Sequence, residues 1–409
     1  MGDTLAEAGK LLVGSLMPWS TPQMEDLRRE FVTKALAKTV SFQSLCRQYS
    51  ISRKTGYKWL ERVMSDGLQG VIDRSRRPHS SPKQLDESAT CALIKLKMRH
   101  PSWGSKKLCG VYAAQHGQGP SASSCQRILT KAGLVQRRRR RAAREVSRVS
   151  SLLAAKTPND VWTVDFKGWW RLGDGHRCEP LTVRDAFSRY VLAVRVLPRN
   201  DGASVQAEFA RLFACYGLPK VIKSDNGTPF ASQALLGLSR LSAWWVALGI
   251  ELDRSRPGHP QDNGAHERMH RDIQHELAQY VQTDALQQQA ACDLWREEYN
   301  HQRPHEALGN RCPATVYRKS ERAYFPRPFT IEYGTGFMPR KVHQNGTIKW
   351  GSQTIFLTSA LGGWHVGLRQ THPDLAEVWF NHLLLGSIEF STLSFRGVPS
   401  HPTEAQRSA

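Results

Sequence analysis

Apolar positions recur at helical spacing in the first third of the chain, at strand spacing through the middle, and in short alternating runs near the end. Over residues 24–38, Leu27, Phe31, Ala35 and Leu36 fall on one side of a helical repeat and predict a helix. Ser41 is placed to cap a second, short helix that turns Phe42, Leu45 and Cys46 inward. Ser52 is placed to cap a third over residues 53–64, with Tyr57 and Leu60 or Val63 inward. Tyr49, Ser50 and Ile51 make the tight connection before it, so the three helices follow the pattern of a helix-turn-helix. A second unit repeats the plan with helices over residues 89–99, 105–115 and 121–132, the last capped by Ser121 and stopped by Gly133.

After Pro158 the pattern changes. Residues 161–168 read as an apolar strand with Asp165 at its centre, and residues 177–183 and 189–197 as two more. Turns at Asp174-Gly175 and over residues 185–188 make these an antiparallel meander. Residues 204–216 form an amphipathic helix that carries Phe209, Leu212 and Phe213. Residues 220–225 form a strand that ends in the turn Asp225-Asn226-Gly227; residues 235–248 are helical, and residues 249–253 are a last strand. Pro257, Gly258 and Pro260 hold off the next helix until Asp262 or Asn263 caps it. That helix runs to about Tyr280, with Met269, Ile273, Leu277 and Tyr280 as its buried stripe and Glu267, Arg271 and Gln274 on the opposite side. Residues 286–300 form a further helix, and the polar stretch 300–305 braces the core. Strands first, then strands alternating with helices, predict a mixed α/β sheet covered on both faces.

Beyond residue 328 the runs shorten. Strands over residues 329–333, 347–350, 353–357, 364–368, 376–380 and 382–388, with hairpin turns at Asn345-Gly346, Gly351-Ser352 and Asn381-His382, predict a small β-barrel. The expected organisation is a flexible arm (1–23), a helix-turn-helix domain (24–72), a basic Pro/Ser linker (73–84) and a second helix-turn-helix domain (85–135). An Arg-rich linker (136–154), the α/β core (155–320), the β-barrel (321–395) and a disordered tail (396–409) follow.

Composition narrows the partner. The 409 residues suffice for several cores, and no run approaches the ~18 apolar residues of a membrane span. No signal peptide is read, and the eight cysteines include no C-x-x-C pair, so a reducing, cytoplasmic setting is expected. A net charge of +21 points to a polyanion, and nucleic acid is the commonest one. The cations fall where a DNA reader needs them. Arg53, Lys54, Thr55 and Lys58 lie at the start of the third helix, and Ser123, Gln126 and Arg127 on the last helix of the second unit. Arg137, Arg138 and Arg139 open a run of arginines that reads as a phosphate or minor-groove strap, with a nuclear-targeting signal as the other reading.

Three acids stand out against this basic background. Asp165 in an apolar strand is costly to bury unpaired, and Asp225 sits at a strand's C-terminal end, where α/β proteins place their sites. Glu267 in the first turn of a helix, taken alone, reads equally as a surface acid favoured by the helix dipole. Together the three are what a pair of hard cations needs, and two Mg²⁺ ions can activate a nucleophile and hold the leaving oxygen in a displacement at phosphorus. Asp185, in a turn, and Asp262, a cap, are the decoys.

Trp162, Thr163, Val164 and Asp165, then Ser224, Asp225, Asn226 and Gly227, then Pro257, Gly258, Pro260, Asn263, Gly264, Glu267 and Arg268 resemble the catalytic core of the retroviral-integrase superfamily. Within it the chain resembles a bacterial insertion-sequence transposase, as does the stretch Tyr299, Asn300, Arg303, Pro304, His305 and Leu308. The resemblance implies a multidomain protein with N-terminal all-α helix-turn-helix units, a central RNase H-like α/β catalytic core and a C-terminal small β-barrel. It implies that Asp165, Asp225 and Glu267 are the catalytic, metal-binding triad for two Mg²⁺ ions, with Mn²⁺ as a substitute. Arg268, His270 and Arg271 are then expected at the transposon end. The barrel is expected to bind DNA, through Arg340, Lys341, Lys349 and Arg369, or other protomers. The spacing from Asp225 to Glu267 is longer than in retroviral members, with the extra residues around 238–245. Implied partners are double-stranded DNA, both transposon ends and target, and further copies of the chain, at least a dimer at synapsis. The implied function is binding of terminal inverted repeats, 3′-end cleavage and strand transfer. The alternatives are a catalytically inactive DNA-binding regulator and an RNase H-like nuclease that cuts without joining.

Overall fold

The computed structural model describes residues 21–75, 85–135, 155–256, 264–327 and 329–398. Most of the expected arm, much of the first linker, the arginine run with Arg137, Arg138 and Arg139, the loop with Asp262 and Asn263, and the end of the chain lie outside the described residues. The chain divides into two compact units, residues 1–84 and 85–409.

In the first unit, α1 (Thr21–Ala37), α2 (Phe42–Gln48) and α3 (Arg53–Asp66) close around Phe31, Val32, Leu45, Cys46 and Trp59. Ser41 and Ser52 cap as expected: their hydroxyls accept from the N–H groups of Ser44 and Thr55 at 3.3 and 3.1 Å. The inward face of α3 differs from the expectation. Tyr57 is exposed, stacked on Phe42 with ring centroids 4.2 Å apart, and Trp59 is buried instead. The cause is Gly56, where the helices touch: a Cβ there would stand 2.9 Å from the Cys46 sulfur and from Phe31. With Gly56 at the contact, Tyr57 is rotated about 100° away from it. Leu36, also expected inward, is exposed near the end of α1.

The second unit opens with α4 (Glu87–Arg99), α5 (Ser105–His116) and α6 (Ala122–Lys131), packed on Leu93, Trp103, Leu108, Cys125 and Leu129. Ser121 caps α6 through the Ser124 N–H at 3.1 Å. The α/β core then adds β1 (Val161–Phe166), the short β2 (Trp170–Arg171) and β3 (Arg177–Cys178), β4 (Leu181–Asp185), β5 (Val191–Arg195) and α7 (Gly202–Tyr216). β6 (Val221–Ser224), α8 (Arg240–Ala247), β7 (Glu251–Arg254), α9 (Gly264–Glu276) and α10 (Ala285–His301) complete it. The sheet order is β5-β4-β1-β6-β7; β1, β4 and β5 are the antiparallel meander, and β6 and β7 run parallel to β1. β2 and β3 form a separate hairpin inserted between β1 and β4, and it holds the Asp174-Gly175 turn.

The sheet is covered on both faces because its apolar residues alternate. Trp162, Val164, Leu181 and Ile222 pack with Phe209, Phe213 and Trp245 of α7 and α8. Val191 and Val194 pack with Met269 and Ile273 of α9 and Trp295 of α10. Two helix boundaries differ from expectation. Leu236 and Gly237 take positive φ, so the helix expected from residue 235 starts only at α8, where Ser239 provides a capping box with Ser242. α9 ends at Glu276, so Leu277 is still buried but Tyr280 has left the helical period and is 65% exposed.

The last strands are β8 (Phe337–Lys341), β9 (Thr347–Trp350), β10 (Gln353–Phe356), β11 (His365–His372), β12 (Leu375–Phe380), β13 (Leu383–Glu389) and β14 (Ser394–Gly397). The expected closed barrel is not what they make. Five form an open antiparallel sheet, β14-β13-β12-β11-β8, and β9-β10 is a separate hairpin. The hairpin lies against β8 at one end and β14 at the other, yet no ladder joins it to either. The expected strand at 329–333 is irregular. Its Tyr333 hydroxyl donates to the His365 carbonyl at 2.9 Å, and the edge place is taken by β8, which tolerates Pro339 because an edge strand can spare an N–H. Arg396 and Gly397, expected in the disordered tail, instead pair with β13 as the end of β14. This β unit shares a core with the α/β sheet's helix: Leu238, Ala243, Val246 and Ala247 pack with Val342, Leu361, Val378 and Phe380. The extra residues between Asp225 and Glu267 are thus the seat of the β unit. Among the described residues no helix is long and apolar enough to cross a membrane.

Candidate active site

Asp165 lies near the end of β1, opposite Thr182 of β4. On the other side of β1, the last pair with β6 is Thr163 and Lys223. Asp165 and Asp225 each lie two residues beyond that pair, Asp165 still on β1 and Asp225 just past β6, and paired strands run about 4.8 Å apart. Asp225 is exposed just past β6, where its Oδ1 accepts from the Gly227 N–H at 3.2 Å. Asn226 donates to the Ser255 carbonyl at 2.8 Å and so ties this turn to the end of β7. Glu267 is exposed in the first turn of α9.

The Asp165 carboxyl registers both other acids. Burial pushes it up, the negative charges of Asp225 and Glu267 push it further, and together they carry it to about 7 although the Phe166 N–H and Lys167 pull the other way. A buried carboxyl raised by two neighbouring negative charges is a site that a cation relieves, and oxygen donors suit Mg²⁺ or Mn²⁺.

A buried polar network sets the approach of α9 to β1. His266 is fully buried between two hydroxyls, with Nδ1 2.7 Å from Thr163 Oγ1 and Nε2 2.7 Å from Thr182 Oγ1. Thr182 donates its single proton to the Asp165 carbonyl at 2.8 Å. His266 must therefore donate from Nε2 to Thr182 and accept at Nδ1 from Thr163. Arg184, 2% exposed, donates to the Ala265 carbonyl at 2.7 Å. The backbone of Asp165 and the residues flanking Glu267 are thereby held by one set of bonds.

His270 was expected at the DNA surface; it is turned inward, because it follows His266 by one helical turn on the same face. Its Nε2 lies 2.8 Å from Thr182 Oγ1, so that nitrogen also donates, and Nδ1 faces Asp165 Oδ2 at 3.9 Å. Burial, then the charges of Lys167 and Arg184, hold its pKa down to about 3, so the ring is neutral. A neutral imidazole then presents a lone pair to a carboxylate. Asp165, His266 and His270 form a compact cluster of ligand-type atoms, but both nitrogens of His266 are already used, which leaves His270 as the imidazole able to reach a cation.

The other expected residues separate clearly. Arg268 and Arg271 are exposed on α9, as is Gln274, which accepts from Lys167 at 3.0 Å. Asp185 is the last residue of β4 and fully buried; it accepts from the N–H groups of Asn159 and Ser188 and from the Ser188 hydroxyl, which is a structural task. On α3, Arg53, Lys54 and Lys58 are exposed, while Thr55 is half-buried with its Oγ1 2.9 Å from Ser52 and serves the cap. On α6, Ser123, Gln126 and Arg127 are exposed. Arg369, expected as a DNA cation, is engaged with Glu377 at 2.6 Å and lies over Trp379. Sequence reasoning missed Thr163, Thr182, Arg184 and His266. For the first three the signal is polarity at inward positions of apolar strands, and for His266 it is a polar residue on the buried side of α9, next to an acid.

The second helical unit is fastened to the helix that carries Glu267. Arg303 is 2% exposed and pairs with Asp272 at 2.8 Å and Glu276 at 2.9 Å, both on α9. Glu276 also accepts from Trp295 at 2.7 Å and from Ser102, in the α4–α5 connection. His100 stacks on Trp103 at 3.9 Å and meets Glu298 of α10 at 3.1 Å. Asn300 braces β5 as expected, accepting from and donating to the Val191 backbone.

Residues 155–260 and 248–313 match the integrase core domain family, residues 27–79 a helix-turn-helix domain and residues 55–129 a homeodomain-like domain. The chain is 30% identical over 250 residues to an uncharacterized 39.2 kDa protein of insertion element IS476 from Xanthomonas euvesicatoria, covering 60% of this chain and 69% of that one. It is 28% identical over 241 residues to an uncharacterized 31.7 kDa protein of insertion element IS407 from Burkholderia multivorans, covering 59% of this chain and 84% of that one. The HTLV-2 integrase catalytic core domain, solved with magnesium, aligns over 40% of this chain and 100% of its own at 17% identity and a TM-score of 0.32, too loose a likeness to add weight. By the relatives it matches and the order of its domains, the chain belongs to the integrase superfamily as a bacterial insertion-sequence transposase.

Proposed function

We propose that this chain binds the terminal inverted repeats of its own element and catalyses metal-dependent 3′-end cleavage and strand transfer, with Asp165, Asp225 and Glu267 as the catalytic carboxylates. What supports this reading is the register of β1 with β6, in which Asp165 and Asp225 follow the Thr163–Lys223 pair by two residues each, with Glu267 in the first turn of the helix whose His266 bonds Thr163 and Thr182. Asp165, Asp225 and Glu267 would hold two Mg²⁺ ions, with Mn²⁺ as a substitute, and His270 offers a further nitrogen. When bound, the ions supply Lewis-acid stabilisation of the phosphorus centre and an activated water.

The chain's own residues do the rest. Arg53, Lys54 and Lys58 of α3 and Ser123, Gln126 and Arg127 of α6 present polar and cationic groups to DNA, and Arg137, Arg138 and Arg139 add a strap along phosphates. Arg268 and Arg271, on the same helix as Glu267, orient the end phosphates. In cleavage, a water oxygen bonds to phosphorus and the bond to O3′ breaks, leaving a 3′ hydroxyl on the element and a 5′ phosphate on the flank. In transfer, that hydroxyl bonds to a target phosphorus and a target O3′ leaves. Two ends must be held together, which calls for at least two copies of the chain on element and target DNA in the cytoplasm.

The test uses labelled, pre-cleaved end DNA and a supercoiled target with Mg²⁺. The reading expects joined product with wild type and none with Asp225→Asn, while both bind the end equally. Cutting of uncleaved ends without any joined product assigns the nuclease activity alone; equal behaviour of wild type and variant assigns the inactive regulator.

A further inference from the structure

Trp169 is the one tryptophan among the described residues that is largely exposed, at 54%. It opens the β2–β3 hairpin, which leaves the sheet just past Asp165 and returns to it just before Thr182. The hairpin alternates. Trp170, Leu172 and Cys178 are buried among Met269 and Ile273 of α9 and Leu277 just past it, while Trp169, Arg171 and Arg177 face solvent. Its tip is tied down as well, since the N–H groups of Gly173 and Asp174 donate to the carbonyls of Gln282 and Thr283 at 3.0 and 2.8 Å. The exposed indole is therefore held out on a fixed support and cannot fold inward without unseating α9.

Two guanidiniums lie over the ring, Arg177 at 5.1 Å and Arg171 at 5.8 Å from its centroid, and the residue is still 54% exposed. Each is itself held, Arg177 by Glu179 at 2.9 Å and Arg171 by the Gly175 carbonyl at 3.1 Å. An indole more than half exposed, with cations against it that can turn to a phosphate, fits a nucleobase joined to that phosphate. The distance to the candidate site is short, because Trp169 lies four positions after Asp165, at most about 14 Å of backbone.

We propose that Trp169 is a stacking platform for an unpaired nucleotide of the DNA end, with Arg171 and Arg177 beside that nucleotide's phosphate. This rests on the reading of the chain as acting on DNA ends at Asp165, Asp225 and Glu267. Bases near a duplex end must separate for one strand to enter a carboxylate site, and the displaced base needs a partner surface.

The full chain is tested in EDTA, so that no cutting contributes. The probe is a duplex of arbitrary sequence with a short 3′ thymidine tail that holds one 5-iodouracil, compared with the same duplex fully paired. Wild type is expected to prefer the tailed duplex by about tenfold. Irradiation is expected to cross-link the iodouracil to Trp169. Trp169→Ala should abolish the preference with an unchanged melting temperature, and Trp169→Phe should keep most of it. No tail preference in wild type, an unchanged preference in Trp169→Ala, or a cross-link to another peptide would overturn the proposal and leave the ring to a protein contact. Failure of the cutting reading shows separately, as absent metal-dependent product with the tail preference intact.

Discussion

His266 donates from Nε2 to the hydroxyl of Thr182 at 2.7 Å, and that hydroxyl in turn donates to the backbone of Asp165. A residue next to one acid is thereby bonded to the support of another. His266→Ala should cost about 1–3 kcal/mol in unfolding free energy, because two buried hydroxyls lose a partner. Cleavage measured well below the melting temperature should fall by more than the loss of folded protein explains, with end binding unchanged. His266→Asn, which can still donate and accept, should recover part of the rate.

The Arg303 contacts predict a stability effect far from any chemistry. Removing its guanidinium leaves Asp272 and Glu276 shielded and unpaired on α9. Arg303→Ala should cost about 3–5 kcal/mol in urea unfolding. It should also loosen α9, seen as faster amide hydrogen exchange over residues 264–276.

The attachment of the second helical unit should depend on acid. The hydrogen bond from His100 holds the Glu298 carboxyl below its ordinary value of 4.5, against the opposing effect of burial. A depressed carboxyl gives stability that is fully present above 4.5 and is lost as pH falls through the lowered value. Thermal melts of wild type and Glu298→Gln across that range should therefore converge at low pH, with wild type more stable above 4.5. Curves that stay parallel throughout would remove this pair from the account.

Gly56 predicts overpacking. Any side chain there meets Cys46 and Phe31, so Gly56→Ala should destabilise the first unit by about 1–3 kcal/mol. Calorimetry should show its melting transition lowered, with no change in that of the second unit.

Local chemistry was legible in the sequence, and long-range register was not. Ser41, Ser52 and Ser121 announce their helices because a cap is decided within three residues. Met269 and Ile273 show the buried side of α9 and Leu277 continues it, but nothing local marks the end of the helix at Glu276, so the expected stripe runs on to the exposed Tyr280. Tyr57 and Trp59 are both aromatic and two positions apart, and only the close approach at Gly56 decides which is buried. The His266 network needs the pairing of β1 with β4, which no spacing along the chain reveals. Strand spacing cannot show whether a sheet closes, and the spacing that predicts a barrel belongs to an open sheet and a hairpin. Pro339 concealed β8, since a proline argues against a strand everywhere but at an edge.

The central claim is that Asp165, Asp225 and Glu267 act as one site. Single-turnover cleavage of labelled end DNA in Mg²⁺ by Asp165→Asn, Asp225→Asn and Glu267→Gln, each with its end affinity measured in parallel, tests it most directly. Each variant should lose about a thousandfold or more, since each removes support for several kcal/mol of transition-state stabilisation, with affinity within about twofold of wild type. A variant that binds and cuts at the wild-type rate would contradict it.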